Sequence, residues 1–233
     1  MRRITATGAA VLVGVLLSGC GRGGPPQEAD AVRVAALETR ILEVAGAAQA
    51  ECEDADNDPR VREVLDPLVR EVALVPDRPE AEKLGEVAGA WQQVWSDFPT
   101  PAFEGLCISA SDTYQVVLSG YYYNISDLRL GDLVLTSFLR GVYEVTPDYL
   151  PVEFTKTTYV QGPLPVGADL LELARAAERG ELLELPNPPP DGAAGTRGEL
   201  KNLYVDEDLR IITGRGPLEA SEIFVLKRVA AVQ

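Results

Sequence analysis

The sequence predicts an α+β fold in which a helical lobe at residues 29–88 precedes an antiparallel β-structure at residues 89–233. Apolar residues recur at three- and four-residue steps in the first part, which is typical of amphipathic helices. From Ala90 onward, short runs of aromatic and β-branched residues are typical of strands. Several antiparallel strands at this spacing predict a sandwich or a barrel closed around a core or cavity.

The first twenty residues are typical of an export signal. Two arginines precede an apolar run from Ala9 to Leu17, which is too short to span a bilayer as a mature helix. The run ends in Leu17-Ser18-Gly19-Cys20, which resembles the lipobox of bacterial lipoproteins; the alternative is a plain secreted protein. We therefore expect residues 1–19 to be a cleaved signal peptide, Cys20 to be lipidated, and residues 20–28 to form a linker rich in Gly and Pro.

Lipidation of Cys20 would place the protein in a bacterial cell envelope, anchored to the membrane by acyl chains. Gly21, which follows it, resembles the pattern that directs lipoproteins to the outer membrane in bacteria with two membranes. In an oxidising compartment the remaining cysteines, Cys52 and Cys107, form a candidate disulfide.

Three helices are predicted in the lobe. The first covers residues 29–50, the second begins at Asp58-Pro59 and is kinked or divided by Pro67, and a short third helix covers Pro79 to Gly85. The apolar stripe of the first helix contains Leu37, Ile41, Val44, Ala45 and Ala48, and that of the second contains Val61, Val64, Leu65, Leu68, Val69 and Val72.

The strand pattern is interrupted once, by a helix predicted at residues 169–181 that ends at Gly180. Two last strands are predicted after the loop at 186–198: Leu200–Thr213, bent by an acidic turn, and Ile223–Val229. The strand runs before the helix lie around Trp91 and at Tyr114–Leu118, Tyr121–Ile125, Leu133–Val145 and Val152–Val160.

Composition excludes several functions. The chain has no histidine, which removes His-based catalysis and imidazole metal sites, and its net charge of -15 argues against nucleic acid as a partner. The run Asp54, Asp56, Asp58 lacks the glycine and the final acid of a calcium loop. Asp206 and Asp208, with Asp127 or Asp132, form the remaining catalytic alternative, a carboxylate hydrolase. We expect no enzymatic activity, no cofactor and no metal.

Aromatic residues concentrate in the predicted strands. Such residues either line an apolar ligand cavity or fill the core of the β-structure. The candidates for ligand binding are Trp91, Trp95, Tyr114, Tyr121, Tyr123, Phe138, Tyr143, Phe154, Tyr159 and Phe224.

The C-terminal part resembles the PAP/fibrillin family of plastid lipid-associated proteins. The resemblance is carried by the run from Leu203 to Ile211, by Gly214-Arg215-Gly216 and by Ile223–Arg228. Upstream, Gly89–Asp97 lies where the family has a glycine, a tryptophan and an aromatic-led stretch, although Trp95-Ser96-Asp97 departs from its usual pattern. The signature residues are Tyr204, Asp206, Asp208, Arg210, Arg215 and Gly216.

The resemblance implies a lipocalin-like antiparallel barrel that binds or carries lipid, quinone or isoprenoid-like molecules without catalysing a reaction. In that interpretation the acidic turn places carboxylates near Arg210 and Arg215, so that the signature is mainly structural. The alternative is an assembly lipoprotein whose barrel is filled by side chains and whose acidic surface binds another envelope protein.

Overall fold

The computed structural model of the chain describes residues 28–47, 59–72, 74–75, 77–97, 106–189, 191–215 and 221–229, which form four helices and eight strands. The helices are α1 Glu28–Ala47, α2 Pro59–Val72, α3 Glu80–Val87 and α4 Leu170–Glu178. The strands are β1 Gly89–Ser96, β2 Leu106–Leu118, β3 Tyr121–Leu130, β4 Leu133–Tyr143, β5 Leu150–Gln161, β6 Arg197–Val205, β7 Leu209–Arg215 and β8 Ser221–Arg228.

The eight strands form one antiparallel sheet that closes into a barrel. Each strand pairs with the next one in sequence, and β8 returns to pair with β1. The length of pairing differs around the ring. Strands β3 and β4 pair along their full lengths, whereas β1 pairs with β2, and β5 with β6, over only four residues at one end. The predicted α+β class is therefore confirmed, and closure of the sheet excludes the open sandwich.

Helices α1 and α2 form an antiparallel hairpin on the outer face of the barrel. An ion pair between Arg33 and Glu71 joins the start of α1 to the end of α2, which fixes the antiparallel arrangement. The buried residues between the hairpin and the sheet form a lobe core, made of Ile41, Ala45, Leu65, Val69, Val72, Val94, Trp95, Leu209, Ile211 and Val225. No helix among the described residues is long and apolar enough to cross a membrane.

Helix α4 connects β5 to β6 and covers another part of the outer face. Asp169 caps it by accepting a hydrogen bond from the Glu172 amide at 3.1 Å, and Gly180, with a φ of 69°, follows its end. Both features agree with the predicted helix. The buried residues beneath α4 form an α4 core, made of Ala90, Val116, Tyr123, Ile125, Phe138, Leu170 and Ala174.

The barrel interior contains a third cluster of buried hydrophobic residues. Its residues come from strands all around the ring, and α3 adds Val87 to them. This barrel core consists of Val87, Trp91, Val117, Tyr122, Val152, Val205, Ile212 and Leu226.

Two element predictions need correction. Leu200–Thr213 is not one bent strand, because the acidic turn at 206–208 separates β6 from β7 and pairs them as a hairpin. Of the two outcomes predicted at Pro67, a kink or a division of the helix, division is excluded, since α2 continues through the proline, which lies on the exposed side. The other helices and strands lie where they are predicted, with shifted ends.

Candidate functional site

A chain of polar side chains crosses the barrel interior. Arg210 on β7 is fully buried and donates from Nε to Asn202 Oδ1 at 2.7 Å and from Nη1 to Gln115 Oε1 at 2.5 Å. Gln115 in turn donates to Asn124 Oδ1 at 3.1 Å. These bonds tie β7 to β6 on one side and, across the interior, to β2 and β3 on the other.

Helix α3, which also contributes Leu84 and Val87 to the interior, completes this network. Glu80 accepts from the Asn202 amide at 3.0 Å and from Asn202 Nδ2 at 2.5 Å. Lys83 donates to Glu80 Oε1 at 3.1 Å, to the Asn202 carbonyl at 2.6 Å and to Asp77 Oδ1 at 2.8 Å. Both α3 side chains are buried, so their charges offset each other inside the protein. We call Glu80, Lys83, Asn202, Arg210 and Gln115 the interior network.

The electrostatics of Arg210 follow from its position. Burial lowers the pKa of Arg210 to about 9, while the charge of Glu80 opposes that shift. The guanidinium is therefore still protonated at neutral pH. Trp91 supplies an aromatic face to it at 5.9 Å, and Arg228 lies over the same ring at 4.0 Å.

Among the described residues, little space is left beside the interior network. The cavity there measures about 10 Å³, close to the room for one water molecule, whereas small-molecule pockets measure roughly 300–1,000 Å³. Its lining combines Gln115 and Arg210 of the interior network with mostly apolar side chains: Leu84, Val87, Val117, Tyr122, Tyr143, Leu150, Val152 and Leu200. Around this network, the described side chains fill the barrel interior.

The ten aromatic candidates do not form one site. Trp91, Tyr143, Phe154 and Phe224 belong to or pack on the barrel core. Trp95 lies in the lobe core, and Tyr114, Tyr121, Tyr123 and Phe138 lie in or against the α4 core on the outer face. Tyr159 is on β5, where its carbonyl accepts from the Leu185 amide at 2.9 Å. The structure thus divides the predicted set between the interior and two outer surfaces.

An open groove of about 360 Å³ lies on the helical hairpin, where α1 ends and α2 begins. Val44, Ala47, Val61 and Val64 give it an apolar surface, and Val64 is 46% exposed. Arg40 and Glu43, an ion pair one turn apart on α1, also line it. This groove offers far more room than the cavity beside the interior network.

A second polar cluster joins α1 to the β6–β7 turn. Tyr204 Oη lies 2.7 Å from Asp206 Oδ2 and also contacts Glu38 Oε1. A phenol has one proton to donate, so the two carboxyl groups are both bonded only if one of them is protonated. Burial, reinforced by the bond to Asp206, raises the pKa of Glu38 from 4.5 to about 7. Hydrogen bonds from Glu38, Leu209, Tyr204 and Asp208 outweigh burial and lower the pKa of Asp206.

We expect the Glu38→Gln substitution to reduce the pH dependence of stability. Between pH 4.5 and 7 the folded protein holds a proton on Glu38 that the unfolded chain has released. The free energy of unfolding therefore falls as pH rises through this window, by about 1 kcal/mol once solvent screening of a half-exposed group is allowed for. Urea denaturation at pH 5 and pH 7.5 measures this difference in the free energy of unfolding, for wild type and for the variant. Glu43→Gln, on the exposed side of α1, should leave the wild-type difference unchanged; equal pH differences in Glu38→Gln and wild type would refute the assignment.

The signature residues have structural roles that differ from the expected ones. Asp206 accepts from the Asp208 and Leu209 amides at 2.9 and 2.8 Å and does not bind Arg210 or Arg215. Arg210 instead points into the interior, and Arg215 lies at the opposite end of β7 from the turn. The Asp208 side chain is exposed, and Gly216 lies outside the described residues. The expected carboxylate–arginine contacts are therefore absent from the described part of the chain.

The carboxylates of the hydrolase alternative are separated in the fold. Asp127, on β3, is bound by Thr136 Oγ1 at 2.8 Å and the Leu164 amide at 3.0 Å, whereas Asp206 and Asp208 lie in the β6–β7 turn. Asp132 is exposed in the β3–β4 turn. No group of three or more acidic or cysteine side chains in the described residues is arranged to hold a metal ion.

Three further predictions lie outside the described residues or side chains: the signal peptide with Cys20, the Asp54–Asp58 run, and the disulfide between Cys52 and Cys107. Sequence analysis also missed Glu80, Lys83, Asn202 and Gln115. For α3 a signal was present, because Glu80, Lys83, Leu84 and Val87 share one helix face by their spacing.

Known proteins add no assignment to this geometry. No family model matches the chain, and no curated protein matches it. The functional interpretation therefore depends on the interior network, the hairpin groove and the charge of the surface.

Proposed function

We propose that the protein is a membrane-tethered, non-enzymatic lipoprotein that binds another envelope protein on its outer surface. The observation that carries this proposal is the packed interior around Arg210, where a bonded charged network crosses the barrel and leaves a cavity of only about 10 Å³ between the described side chains. A carrier of lipid-sized molecules needs a far larger enclosed volume. The barrel, in this proposal, is a rigid lipocalin-like scaffold of PAP/fibrillin type that presents its surface to a partner.

The surface around the hairpin groove favours a partner with basic and apolar side chains. The groove presents apolar residues at the end of the hairpin where residues 48–58 connect α1 to α2. That connection contains five acidic residues and no basic one. An apolar strip beside concentrated negative charge suits a basic amphipathic segment, because charge guides the encounter and apolar burial stabilises the complex.

The tether in this proposal is acylated Cys20. Removal of residues 1–19 takes away two arginines and no acid, so that the net charge changes from -15 to -17. Such a chain has no net electrostatic attraction to anionic lipid, and stable anchoring then depends on the acyl chains. The bacterial envelope, and the outer membrane where there are two, is the proposed location.

The test is photo-crosslinking from the groove in the full acylated chain, in cells of its own species. We expect a benzophenone amino acid in place of Val64 to give one discrete protein adduct. The same residue in place of Val166, which is fully exposed between β5 and α4, serves as the matched control and should give none. Changing the five acids at 51–58 to their amides should weaken the Val64 adduct, because the proposed partner is basic.

Other outcomes decide against the proposal. Equal adducts from both positions, or no protein adduct from Val64, would refute a partner site in the groove. A lipid or isoprenoid adduct from Val64 would favour the second candidate, a protein that binds hydrophobic small molecules. That candidate is supported by the groove volume of about 360 Å³ and by the resemblance to lipid-associated proteins.

A further inference from the structure

Both ends of the α1–α2 hairpin expose apolar side chains: Val64 in the groove is 46% exposed, and a second group lies at the opposite end. At the end where α1 begins and α2 finishes, Leu74 is 80% exposed, Val32 is 68% exposed and Val75 is 36% exposed. The Arg33–Glu71 ion pair brings the first turns of α1 against the last turn of α2, so that these three apolar side chains lie at one end. We call Val32, Leu74 and Val75 the near-end patch.

The two ends differ in charge. Residues 20–34 and 69–75, which form or lead to the near end, contain three arginines and three acids, and are therefore neutral overall. The other end carries the connection at 48–58, with five acids and no base. A negatively charged membrane surface would repel the acidic end of the hairpin but not the neutral near end.

The proposed anchor lies close to the near end in sequence. Seven residues, rich in Gly and Pro, separate Cys20 from the first residue of α1. Composition alone predicts a root-mean-square span of about 16 Å for a Gly- and Pro-rich linker of this length, whereas α1 itself extends for about 30 Å. Acylation of Cys20 would therefore hold the near end next to the bilayer, and an upright α1 would place the acidic end and the groove about 30 Å farther out.

We propose that the near-end patch of Val32, Leu74 and Val75 contacts the lipid bilayer to which Cys20 is anchored, so that the hairpin stands with its acidic end and groove directed away from the membrane. This inference rests on the acylation of Cys20 in the proposed function. Exposed apolar side chains beside a lipid anchor add a second membrane contact, which fixes orientation as well as attachment.

The test measures contact with lipid by fluorescence quenching of single added tryptophans. The full acylated protein carrying Leu74→Trp is placed in phosphatidylcholine vesicles containing lipid brominated on its acyl chains. The matched control is Leu183→Trp, since Leu183 is 88% exposed and lies between α4 and β6, away from the hairpin. Both positions are exposed enough to accept tryptophan without repacking, and wild-type protein supplies the background from Trp91 and Trp95, which are buried.

We expect brominated lipid to quench Leu74→Trp roughly twofold more strongly than Leu183→Trp, because an interfacial contact places side chains near the acyl boundary. Equal quenching at both positions in protein that floats with the vesicles would overturn the orientation while leaving the tether intact. Failure of the wild-type chain to float, or flotation that survives Cys20→Ser, would overturn the acyl tether itself. The two failures are therefore distinguishable.

Discussion

Replacing Arg210 with alanine is expected to lower the free energy of unfolding by about 3–5 kcal/mol, the usual cost of removing one partner from a buried charged network. The substitution deprives Asn202 Oδ1 and Gln115 Oε1 of their donor and leaves a void beside Trp91. Urea denaturation followed by tryptophan fluorescence and circular dichroism measures the loss.

Two further variants separate charge from packing at this position. Arg210→Met keeps most of the volume but still leaves both acceptors unbonded, so we expect a large part of the loss to remain. Arg197→Ala removes an arginine that is 77% exposed and pairs with Glu153 on the surface, and should cost less than about 1 kcal/mol. A loss in Arg210→Ala no larger than in Arg197→Ala would show that the interior network does not stabilise the barrel.

Substitutions in the interior network are expected to change the stability of the protein but not its binding to a partner. Arg210 is fully buried, and its hydrogen bonds among the described residues go to Asn202 and Gln115 of the interior network. If the filled barrel is a scaffold, a variant of Arg210 that still folds should keep the photo-crosslink from Val64. Loss of the crosslink at unchanged stability would instead assign Arg210 to binding and refute the structural role given to it here.

Local patterns predicted the elements well because each has a local cause. The stripe of α1, the cap of α4 at Asp169 and the glycine after it are all encoded within a few residues. The β6–β7 turn was encoded too, since an aspartate that accepts from amides two and three residues later is a common turn signal. Treating residues 200–213 as one strand overlooked that signal.

The alternation of side chains along a regular strand could not predict which aromatic residues face the barrel interior and which face outward. Trp91 and Trp95 are four residues apart, which on a regular strand places them on one face. The register of β1 against β8 shifts between Gln93 and Trp95, and this irregularity turns Trp95 out to the lobe core while Trp91 stays inside. Similar shifts in β2, β4–β5 and β6 change the facing side elsewhere.

The interior network was beyond sequence reasoning for another reason. Glu80 and Asn202 are 122 positions apart, and Arg210 meets Gln115 across 95 positions. No local pattern marks such pairs. Only the spacing of Glu80 and Lys83 with Leu84 and Val87 indicated that two charges share a buried helix face.

Replacing Gly141 with alanine is expected to lower the free energy of unfolding by about 1–3 kcal/mol, the usual cost of overpacking a core. A Cβ at Gly141 on β4 would lie 2.5 Å from the ring of Tyr122, its cross-strand neighbour on β3. Tyr122 is buried and packs edge-on to Phe154 at 6.1 Å, so the ring has little freedom to move away. Thermal and urea denaturation measure the change. Gly46→Ala is the control, since nothing lies within 4 Å of its new Cβ and helix α1 should gain up to about 1 kcal/mol.

A double-mutant cycle tests whether the Tyr122 ring is the cause. Tyr122→Leu removes the atoms that the new Cβ would meet, so Gly141→Ala should cost less in that background than in wild type by about 1 kcal/mol, within the usual range for residues in contact. The glycine would then be required because an aromatic ring covers it from the neighbouring strand, an arrangement that fills the interior without a side chain at 141. Strict additivity in the cycle would mean that the cost comes from the β4 backbone beside the register shift at Arg140, and not from the filled interior.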